Sequence, residues 1–198
     1  RLAAAGESYV VVTPTASGKT LCYNLPVLDA MLRDPQARAL YLFPTKALSQ
    51  DQMHEAHGIV QALGADIKVH TFDGDTPETA RRAIRSSGHI VVTNPDMLHT
   101  GILPHHARWN RFFTHLRYIV IDELHAYRGV FGSHLANVLR RLRRVCRFHG
   151  SDPVFLATSA TIGNAKSFAE SLLERPVEVA ERLGGGQDLG RRRAKVVP

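Results

Sequence analysis

Several features that often define a protein class are scarce in this 198-residue chain. It has only two cysteines, Cys22 and Cys146, which are far apart and cannot make a disulfide framework, so reduced thiols in a cytosolic protein are expected. The absence of any apolar run of about 18 residues argues against a membrane-spanning helix. The first residues, RLAAAGESYV, turn polar too soon for a secretory signal and indicate that the chain begins inside a larger protein.

Lysine is also scarce, because only five of the 25 basic residues are lysines. Arginine therefore carries most of a formal net charge of +7, and the sequence pI is about 9.8. A pI this high is typical of proteins that bind polyanions, but a charge that only aids solubility fits equally well. Composition alone thus leaves both a nucleic-acid partner and a merely solubilising charge open.

Short apolar runs alternate with helix-like segments along most of the chain. The runs are residues 8–13, 37–43, 67–72, 89–93, 116–122 and 153–159. They are apolar almost throughout, as is typical of strands buried on both faces of a parallel sheet. The helix-like segments are residues 19–33, 47–63, 77–86, 133–149 and 166–173. This order predicts an α/β fold with a doubly wound, mostly parallel sheet, in which ligands bind beyond the carboxyl ends of the strands.

The segment VVVTPTASGKT, residues 10–20, ends in a phosphate-binding pattern. Its GKT lies between a predicted strand and a predicted helix, where the backbone N–H groups of residues 16–20 can surround a phosphate. Lys19 is expected to reach the β- and γ-phosphates of a nucleotide, and the Thr20 hydroxyl to bind Mg²⁺. Thr13 stands where the usual pattern has its first glycine, so this segment alone also fits a strand–turn–helix without a ligand.

A pair of adjacent acids follows the apolar run YIVI. Asp122 and Glu123 end this predicted strand, and His125 comes two residues later. Hydrolysis of a magnesium nucleotide needs one carboxylate to hold the metal and another to orient or deprotonate water. Asp122 suits the metal and Glu123 suits the water. Acids here could simply cap a loop, but the phosphate loop in the same chain favours a nucleotide-hydrolysing site.

Five segments stand in the order of the superfamily 2 helicase motifs: residues 13–20, 44–48, 93–96, 122–125 and 159–161. The stretches GILPHH, VIDELHAYRGVFGSH and VLRRLRRVCRF further resemble the MrfA/YprA-like branch of bacterial DExH-box DNA repair helicases. The resemblance implies that residues 1–183 are the first RecA-like domain of a two-domain motor, without the segment upstream of the phosphate loop. It treats Thr13 and Ala16 as tolerated replacements of glycine. Residues 184–198, which follow a glycine cluster, are expected to form a flexible exit segment towards the second domain.

The same resemblance assigns roles around the nucleotide. ATP and Mg²⁺ are the implied cofactors, and the implied nucleotide-binding residues are Thr15, Ala16, Ser17, Gly18, Lys19, Thr20, Asp122, Glu123 and His125. Among these, Thr20 and Asp122 are the implied metal ligands, and Lys19, Asp122 and Glu123 the implied catalytic residues. Ser159, Thr161 and His125 are implied to couple the ATP state to the grip on nucleic acid.

Loops after the predicted strands offer small polar groups and backbone amides to a nucleic acid. The candidate residues are Thr45, Lys46, Gly74, Asp75, Thr93, Asn94 and Asp96. Such groups suit phosphates rather than base edges, so little sequence preference is expected. Each of them alone fits turn or helix-cap chemistry equally well, and the nucleic-acid interpretation depends on their position beside the motor motifs.

Three other groups receive different interpretations. The arginines of residues 139–148 are interpreted as a solvated helix face in preference to a DNA-binding patch. The histidines within residues 99–106 have no matching Cys/His set and are not expected to bind a metal. The aromatic residues within 109–113 are expected in core or interdomain packing rather than in base stacking.

The sequence therefore predicts part of an ATP-dependent DNA helicase that moves 3′ to 5′ and acts in DNA repair. Its expected partners are single-stranded DNA and a second RecA-like domain of the same chain, and no membrane partner is expected. The piece itself is expected to be a monomer. Its expected location is the bacterial cytoplasm, near the nucleoid. A translocase or remodeller that does not separate strands, an RNA helicase, and a simple DNA-binding module are the alternatives. Because an arginine finger would come from the second domain, and its loss typically costs about 10³–10⁵ in rate, we expect weak nucleotide binding and poor hydrolysis from this piece alone.

Overall fold

A computed structural model describes residues 2–13 and 18–181 of the chain. Its strands are β1 Tyr9–Val12, β2 Arg38–Leu42, β3 Val69–Thr71, β4 Ile90–Thr93, β5 Leu116–Ile121, β6 Val154–Ser159 and β7 Glu178–Glu181. They form one seven-stranded sheet in the order β3-β4-β2-β5-β6-β1-β7, and neighbouring strands are parallel. The predicted α/β fold with a parallel sheet is confirmed.

Helices connect the strands. They are α1 Lys19–Arg33, α2 Lys46–Ala62, α3 Glu78–Ser87, α4 Pro95–Met97, α5 Asn110–Thr114, α6 Gly129–Phe148 and α7 Ala165–Leu173. Between α4 and α5 the chain forms a π-helix, Leu98–Ile102, and a 3-10 helix, Leu103–Trp109. In the described ranges, no helix is long and apolar enough to cross a membrane.

The helices form a layer on each face of the sheet. Side chains alternate along β1, so that Val10 and Val12 pack with the layer that contains α3, α5, α6 and α7. Tyr9 and Val11 pack with the layer of α1 and α2. Burial on both faces explains why the strands read as continuous apolar runs, and it confirms the doubly wound arrangement.

The aromatic residues between α4 and β5 belong to the first of these layers. Trp109, Phe112 and Phe113 are almost completely buried and contact each other in edge-to-face pairs. Their assignment to packing is confirmed. Among residues 2–13 and 18–181, the structure has no group of three or more His, Cys, Asp or Glu side chains that could hold a metal ion.

The strand order divides the carboxyl edge of the sheet into two parts. The phosphate loop, the DELH segment and the Ser-Ala-Thr segment follow β1, β5 and β6, which are neighbours in the sheet. The segments with candidate nucleic-acid contacts follow β2, β3 and β4, which form the adjacent part. The fold therefore separates a predicted nucleotide side from a predicted nucleic-acid side along one edge.

Candidate functional site

Lys19 is a buried cation at the start of α1. It follows Gly18, whose φ of 70° lies in the left-handed region that glycine adopts without strain. The Lys19 side chain is 8% exposed, and its Nζ has no hydrogen-bond partner among the described residues. The nearest acid is Glu123, whose Oε1 lies 3.7 Å away. A buried ammonium group that lacks acceptors is costly, and phosphate oxygens would supply them.

Other predicted members of the phosphate loop lie outside the described residues. These are Thr15, Ala16 and Ser17. Thr20, one residue after Lys19, is half-buried in the first turn of α1. Its position in the chain and on the helix agrees with the predicted role beside a phosphate, which stays a prediction.

Asp122 is held in place by its neighbours at the end of β5. It is buried, and its Oδ1 accepts hydrogen bonds from the Thr158 hydroxyl on β6 and from the Glu123 backbone N–H, the latter at 2.9 Å. The other carboxylate oxygen, Oδ2, makes no hydrogen bond to the described residues. Since both bonds fix Oδ1, the carboxylate has a defined orientation and Oδ2 can serve as a ligand for a cation.

Glu123 has an unusual backbone conformation. Its φ of 52° and ψ of 47° place a non-glycine residue in the left-handed region, which costs about 1–2 kcal/mol. The carboxylate lies between two cationic or potentially cationic groups, with Oε1 towards Lys19 and Oε2 3.1 Å from His125 Nδ1. Strain of this kind concentrates at functional sites, and here it directs an acidic side chain towards the lysine of the phosphate loop.

His125 connects the acidic segment with the Ser-Ala-Thr segment. Its Nδ1 lies 3.0 Å from the backbone nitrogen of Ala160, and a backbone N–H can only donate. Nδ1 must then be unprotonated, which is incompatible with an ion pair from the same atom to Glu123. We regard the Ala160 bond as the real one because the direction of a backbone N–H is fixed by the chain. His125 therefore contacts both segments but can hydrogen-bond through Nδ1 to only one of them at a time.

The two remaining coupling candidates differ in accessibility. Ser159 is completely buried, its backbone oxygen accepts from the Thr13 N–H at 3.3 Å, and its Oγ has no partner within the described ranges. Thr161 is exposed. The Ser-Ala-Thr segment thus contacts the strand that leads into the phosphate loop at one end and faces solvent at the other.

Tyr23 is a site residue that sequence reasoning missed, like Thr158. It is buried, and its hydroxyl donates to Oε1 of Gln52 on α2 at 2.7 Å. Burial, with the nearby Asp122 carboxylate as a lesser cause, raises the pKa of Tyr23 far above its ordinary value, while a hydrogen bond with the Thr20 side chain opposes this shift. The spacing of Thr20 and Tyr23, one helical turn, was a signal in the sequence, but an aromatic residue in a helix more often belongs to the core.

Several candidate nucleic-acid residues are also helix caps. The Thr45 hydroxyl accepts from the Leu48 N–H at 3.4 Å at the start of α2. Asn94 Oδ1 accepts from the Met97 N–H at 2.8 Å at the start of α4. Thr93 is buried, and its hydroxyl donates to the Phe72 carbonyl at 2.6 Å. The Thr93 side chain therefore stabilises the junction of β3 and β4, and only the other two present polar groups near the surface.

The remaining candidates on this side include a charge pair. Lys46 Nζ is hydrogen-bonded to Asp75 and lies 3.7 Å from Asp73, and the Asp75 bond raises the pKa of Lys46. Gly74 lies between these two acids, in a loop whose backbone carbonyls at residues 73 and 76 accept from Arg81 at 3.0 and 2.8 Å. The structure thus brings three of the candidates, Lys46, Gly74 and Asp75, together at one place.

Asp96, the last candidate nucleic-acid residue, lies apart from Lys46, Gly74 and Asp75. Asp96 is in α4, and its Oδ1 lies 3.3 Å from Nε2 of His134 on α6. It is therefore close to the helix that follows the DELH segment. Its position is at the border between the nucleic-acid side and the layer of α6.

Comparisons with known proteins bear on the family and the fold of this chain. The model of the DEAD/DEAH box helicase family matches residues 1–168. YprA of Bacillus subtilis (strain 168), described as an uncharacterized ATP-dependent helicase, is 62% identical over 179 residues, which are 90% of this chain and 24% of YprA. The ATP-dependent helicase HRQ1 of Saccharomyces cerevisiae is 46% identical over 162 residues, which are 79% of this chain and 15% of HRQ1.

The fold is also similar to a crystal structure of the DUF1998 helicase MrfA bound to DNA and AMPPNP. The TM-score is 0.89 at 61% identity, over 91% of this chain and 26% of the MrfA chain. This chain spans about a quarter or less of the length of these relatives. The similarity confirms the RecA-like helicase fold and the resemblance to superfamily 2 helicases. The chain belongs to the DEAD/DEAH box helicase family.

Proposed function

We propose that this chain is the ATP-binding motor domain of an ATP-dependent DNA helicase. A 3′-to-5′ direction, a role in DNA repair and a place in the bacterial cytoplasm near the nucleoid belong to the same proposal. The proposal also takes residues 1–183 as the domain and residues 184–198 as its exit segment. A second RecA-like domain completes the site. The observation that supports the proposal most strongly is the buried Lys19 ammonium, which has no hydrogen-bond acceptor among the described residues and lies beside Glu123.

The residues present fit a nucleotide with a bound magnesium ion. Lys19 supplies buried N–H donors for the β- and γ-phosphates. No group in the described residues accepts a hydrogen bond from these donors. Thr20 and Oδ2 of Asp122 would hold the ion, which supplies charge neutralisation on the phosphate oxygens. Thr158 keeps Asp122 in the orientation that this role needs.

Glu123 is the residue best placed to accept a proton from an attacking water. Its carboxylate is partly exposed, with 25% of the side chain accessible, so water can reach it. Lys19 lies 3.7 Å from this carboxylate, and His125 lies beside both the Glu123 carboxylate and the Ala160 N–H. The chain thereby offers an acceptor for the proton.

The nucleic acid would lie along the ends of β2, β3 and β4. Thr45 stands there at the N-terminus of the helix α2, where backbone N–H groups attract phosphate oxygens, and Asn94 presents a polar side chain. Lys46 would exchange Asp75 for a phosphate. MrfA, which is 61% identical over the matched region, has been crystallised with DNA, and we propose single-stranded DNA as the partner here.

The proposal can be tested with Lys19→Ala in the full-length protein. Loss of a charged hydrogen-bond donor to phosphate should weaken ATP binding by about 10- to 100-fold, measured by fluorescence titration with a labelled nucleotide. DNA binding without nucleotide should be retained. The matched control is Lys166→Ala, since Lys166 is exposed and, among the residues that the structure describes, pairs only with Glu170 on its own helix.

Unchanged nucleotide affinity in Lys19→Ala would show that the phosphate-loop assignment is wrong. The kind of motor is a separate question for the unmodified full-length protein. Separation of a partial duplex with a single-stranded 3′ tail supports a helicase of the proposed direction. ATP hydrolysis that DNA stimulates without separating strands would instead identify a translocase or remodeller, and activity on RNA alone would identify an RNA helicase.

A further inference from the structure

Among the described residues, positive charge is concentrated on one side of the sheet. Residues 78–114 and 129–175, which form the layer of α3 to α7 with β4 and β6, contain 12 Lys/Arg and five Asp/Glu. Their formal charge of +7 equals the net charge of the whole chain, so the remaining residues are neutral overall. An asymmetry of this size indicates a surface for a polyanion rather than charge spread evenly for solubility.

The densest part of this charge is a stripe on α6. Arg140, Arg144 and Arg147 are exposed and follow the spacing i, i+4, i+7, which places them on one face of the helix. Phe148, one residue further, continues the same face and is 76% exposed. At 1.5 Å per residue the stripe is about 12 Å long. Its arginines line an open cleft of about 400 Å³.

Part of this charge has no counter-ion. Arg140 donates through Nε to Glu174 at 2.6 Å, and Arg143 donates to the carbonyls of Leu173 and Glu174 at the end of α7. Glu174 is the one acid that lines the cleft within the described part of the chain. Arg144 and Arg147 make no hydrogen bond or ion pair to any described residue. Two guanidinium groups are thus available to a ligand.

The chemistry of the stripe fits one class of ligand. Guanidinium groups bind phosphate oxygens in a bidentate manner, and neighbouring turns of a helix present them at intervals along an extended chain. An exposed aromatic ring next to arginines offers a stacking surface, which only unpaired bases can use. We propose that Arg144, Arg147 and Phe148 form a second contact surface for single-stranded nucleic acid.

This surface is separate from the proposed motor track. The helix α6 begins at Gly129, near the carboxyl edge of the sheet where the DELH segment lies, and runs towards the opposite edge. Arg147 is 18 residues beyond Gly129, which corresponds to about 27 Å along the helix axis. A strand held at the ends of β2 to β4 cannot contact both places through the same nucleotides. The stripe would therefore bind a different part of the strand, outside the motor.

The test uses the full-length protein with Arg144→Gln/Arg147→Gln and a labelled oligothymidine, followed by fluorescence anisotropy over a range of salt concentrations. Each lost phosphate contact should reduce the salt slope for a single strand by about 0.7, so the double variant should lose about 1.4 and bind roughly ten-fold more weakly at physiological salt. The control is Arg33→Gln/Arg117→Gln, which removes two exposed arginines away from the stripe and should bind like the unmodified protein. An equal loss in the control, or no loss in the test variant, would overturn the proposal.

A second variant tests the single-strand part of the inference. Phe148→Ala should weaken oligothymidine binding about five-fold or more through lost stacking, without changing the affinity for blunt duplex. Equal weakening for both ligands, or for neither, contradicts a stacking surface. The arginine variant could also lose thermal stability without any change in DNA binding. This result would show that another part of the full protein covers the stripe, and it would overturn the proposal.

The inference rests on the proposed function only in taking nucleic acid as the ligand, and the two can fail separately. If the unmodified full-length protein does not bind oligothymidine at all, both the second surface and the proposed function are wrong. If the unmodified protein binds and the stripe variants bind equally well, the motor assignment stands and only the second surface is wrong.

Discussion

The left-handed backbone at Glu123 permits a direct measurement of strain at the proposed catalytic residue. With φ at 52° and ψ at 47°, any residue with a Cβ atom costs about 1–2 kcal/mol here, whereas glycine adopts these angles freely. Glycine loses part of this advantage through the larger entropy of its unfolded state. Glu123→Gly should therefore be more stable than Glu123→Ala by about 1 kcal/mol.

This comparison removes the carboxylate in both variants. The loss of the contacts with Lys19 and His125 is common to both and cancels in the difference. For a chain of this size, 1 kcal/mol corresponds to about 2–4 °C in melting temperature, which calorimetry resolves easily. ATP hydrolysis by the full-length protein should be lost in both variants. An alanine variant as stable as the glycine variant, or more so, would refute the argument that Glu123 is strained.

Three further perturbations follow from single contacts. Tyr23→Phe removes the hydrogen bond to Gln52 and should lower the free energy of unfolding by about 1 kcal/mol in urea titrations. Gly132→Ala should lower it by about 1–3 kcal/mol in the same titration, because a Cβ atom would lie 2.5 Å from the Tyr127 carbonyl oxygen. Burial raises the pKa of the Cys146 thiol from 9.0 to about 12, so its contribution to stability is present below pH 9 and should decrease as the pH rises towards 12, in thermal melts over that range.

Each of these has an internal control. Tyr118→Phe removes a hydroxyl that makes no hydrogen bond to the described residues, and it should leave stability nearly unchanged. Gly58→Ala lies in α2 with nothing within 4 Å of the new Cβ, so it should stabilise the chain by up to about 1 kcal/mol. Cys22 is exposed and should react with alkylating reagents in the folded chain, unlike the buried Cys146. A Cys146→Ser variant with the same loss of stability at high pH would assign that loss to other groups.

The sheet was predictable from the sequence because its strands are buried on both faces, which leaves short, continuous apolar runs bounded by polar and turn residues. The start of α6 was placed too late, at residue 133 instead of Gly129. Two glycines in its first turn resemble a loop, but Gly132 is needed where the helix passes close to the Tyr127 carbonyl. The short strand β7, Glu178–Glu181, was not predicted, because four residues are too few to form an apolar run and gain their structure by pairing with β1.

The site was predictable to a different extent. Short motifs identify residues whose proposed chemistry is demanding, such as Lys19 and Asp122, since few side chains could replace an ammonium proposed to bind phosphate or a carboxylate proposed to bind a metal. Residues that act by holding others leave no such pattern. Thr158 was missed because a threonine in a strand is ordinary, and its importance comes only from the hydrogen bond across β5 and β6 to Asp122.

The division of the sheet edge raises the question of how its two parts communicate. The predicted nucleotide side ends at β5 and the predicted nucleic-acid side begins at β2, and these strands are neighbours in the sheet. Tyr23 joins the helices beyond them, because its hydroxyl bonds to Gln52 in α2 and its helix begins with the Lys19–Thr20 pair. Thr45, at the start of α2, faces the proposed track. Gln52, Tyr23 and Thr20 thus form one hydrogen-bonded chain between α2 and the first turn of α1, and we expect a displacement of α2 to be felt at Thr20.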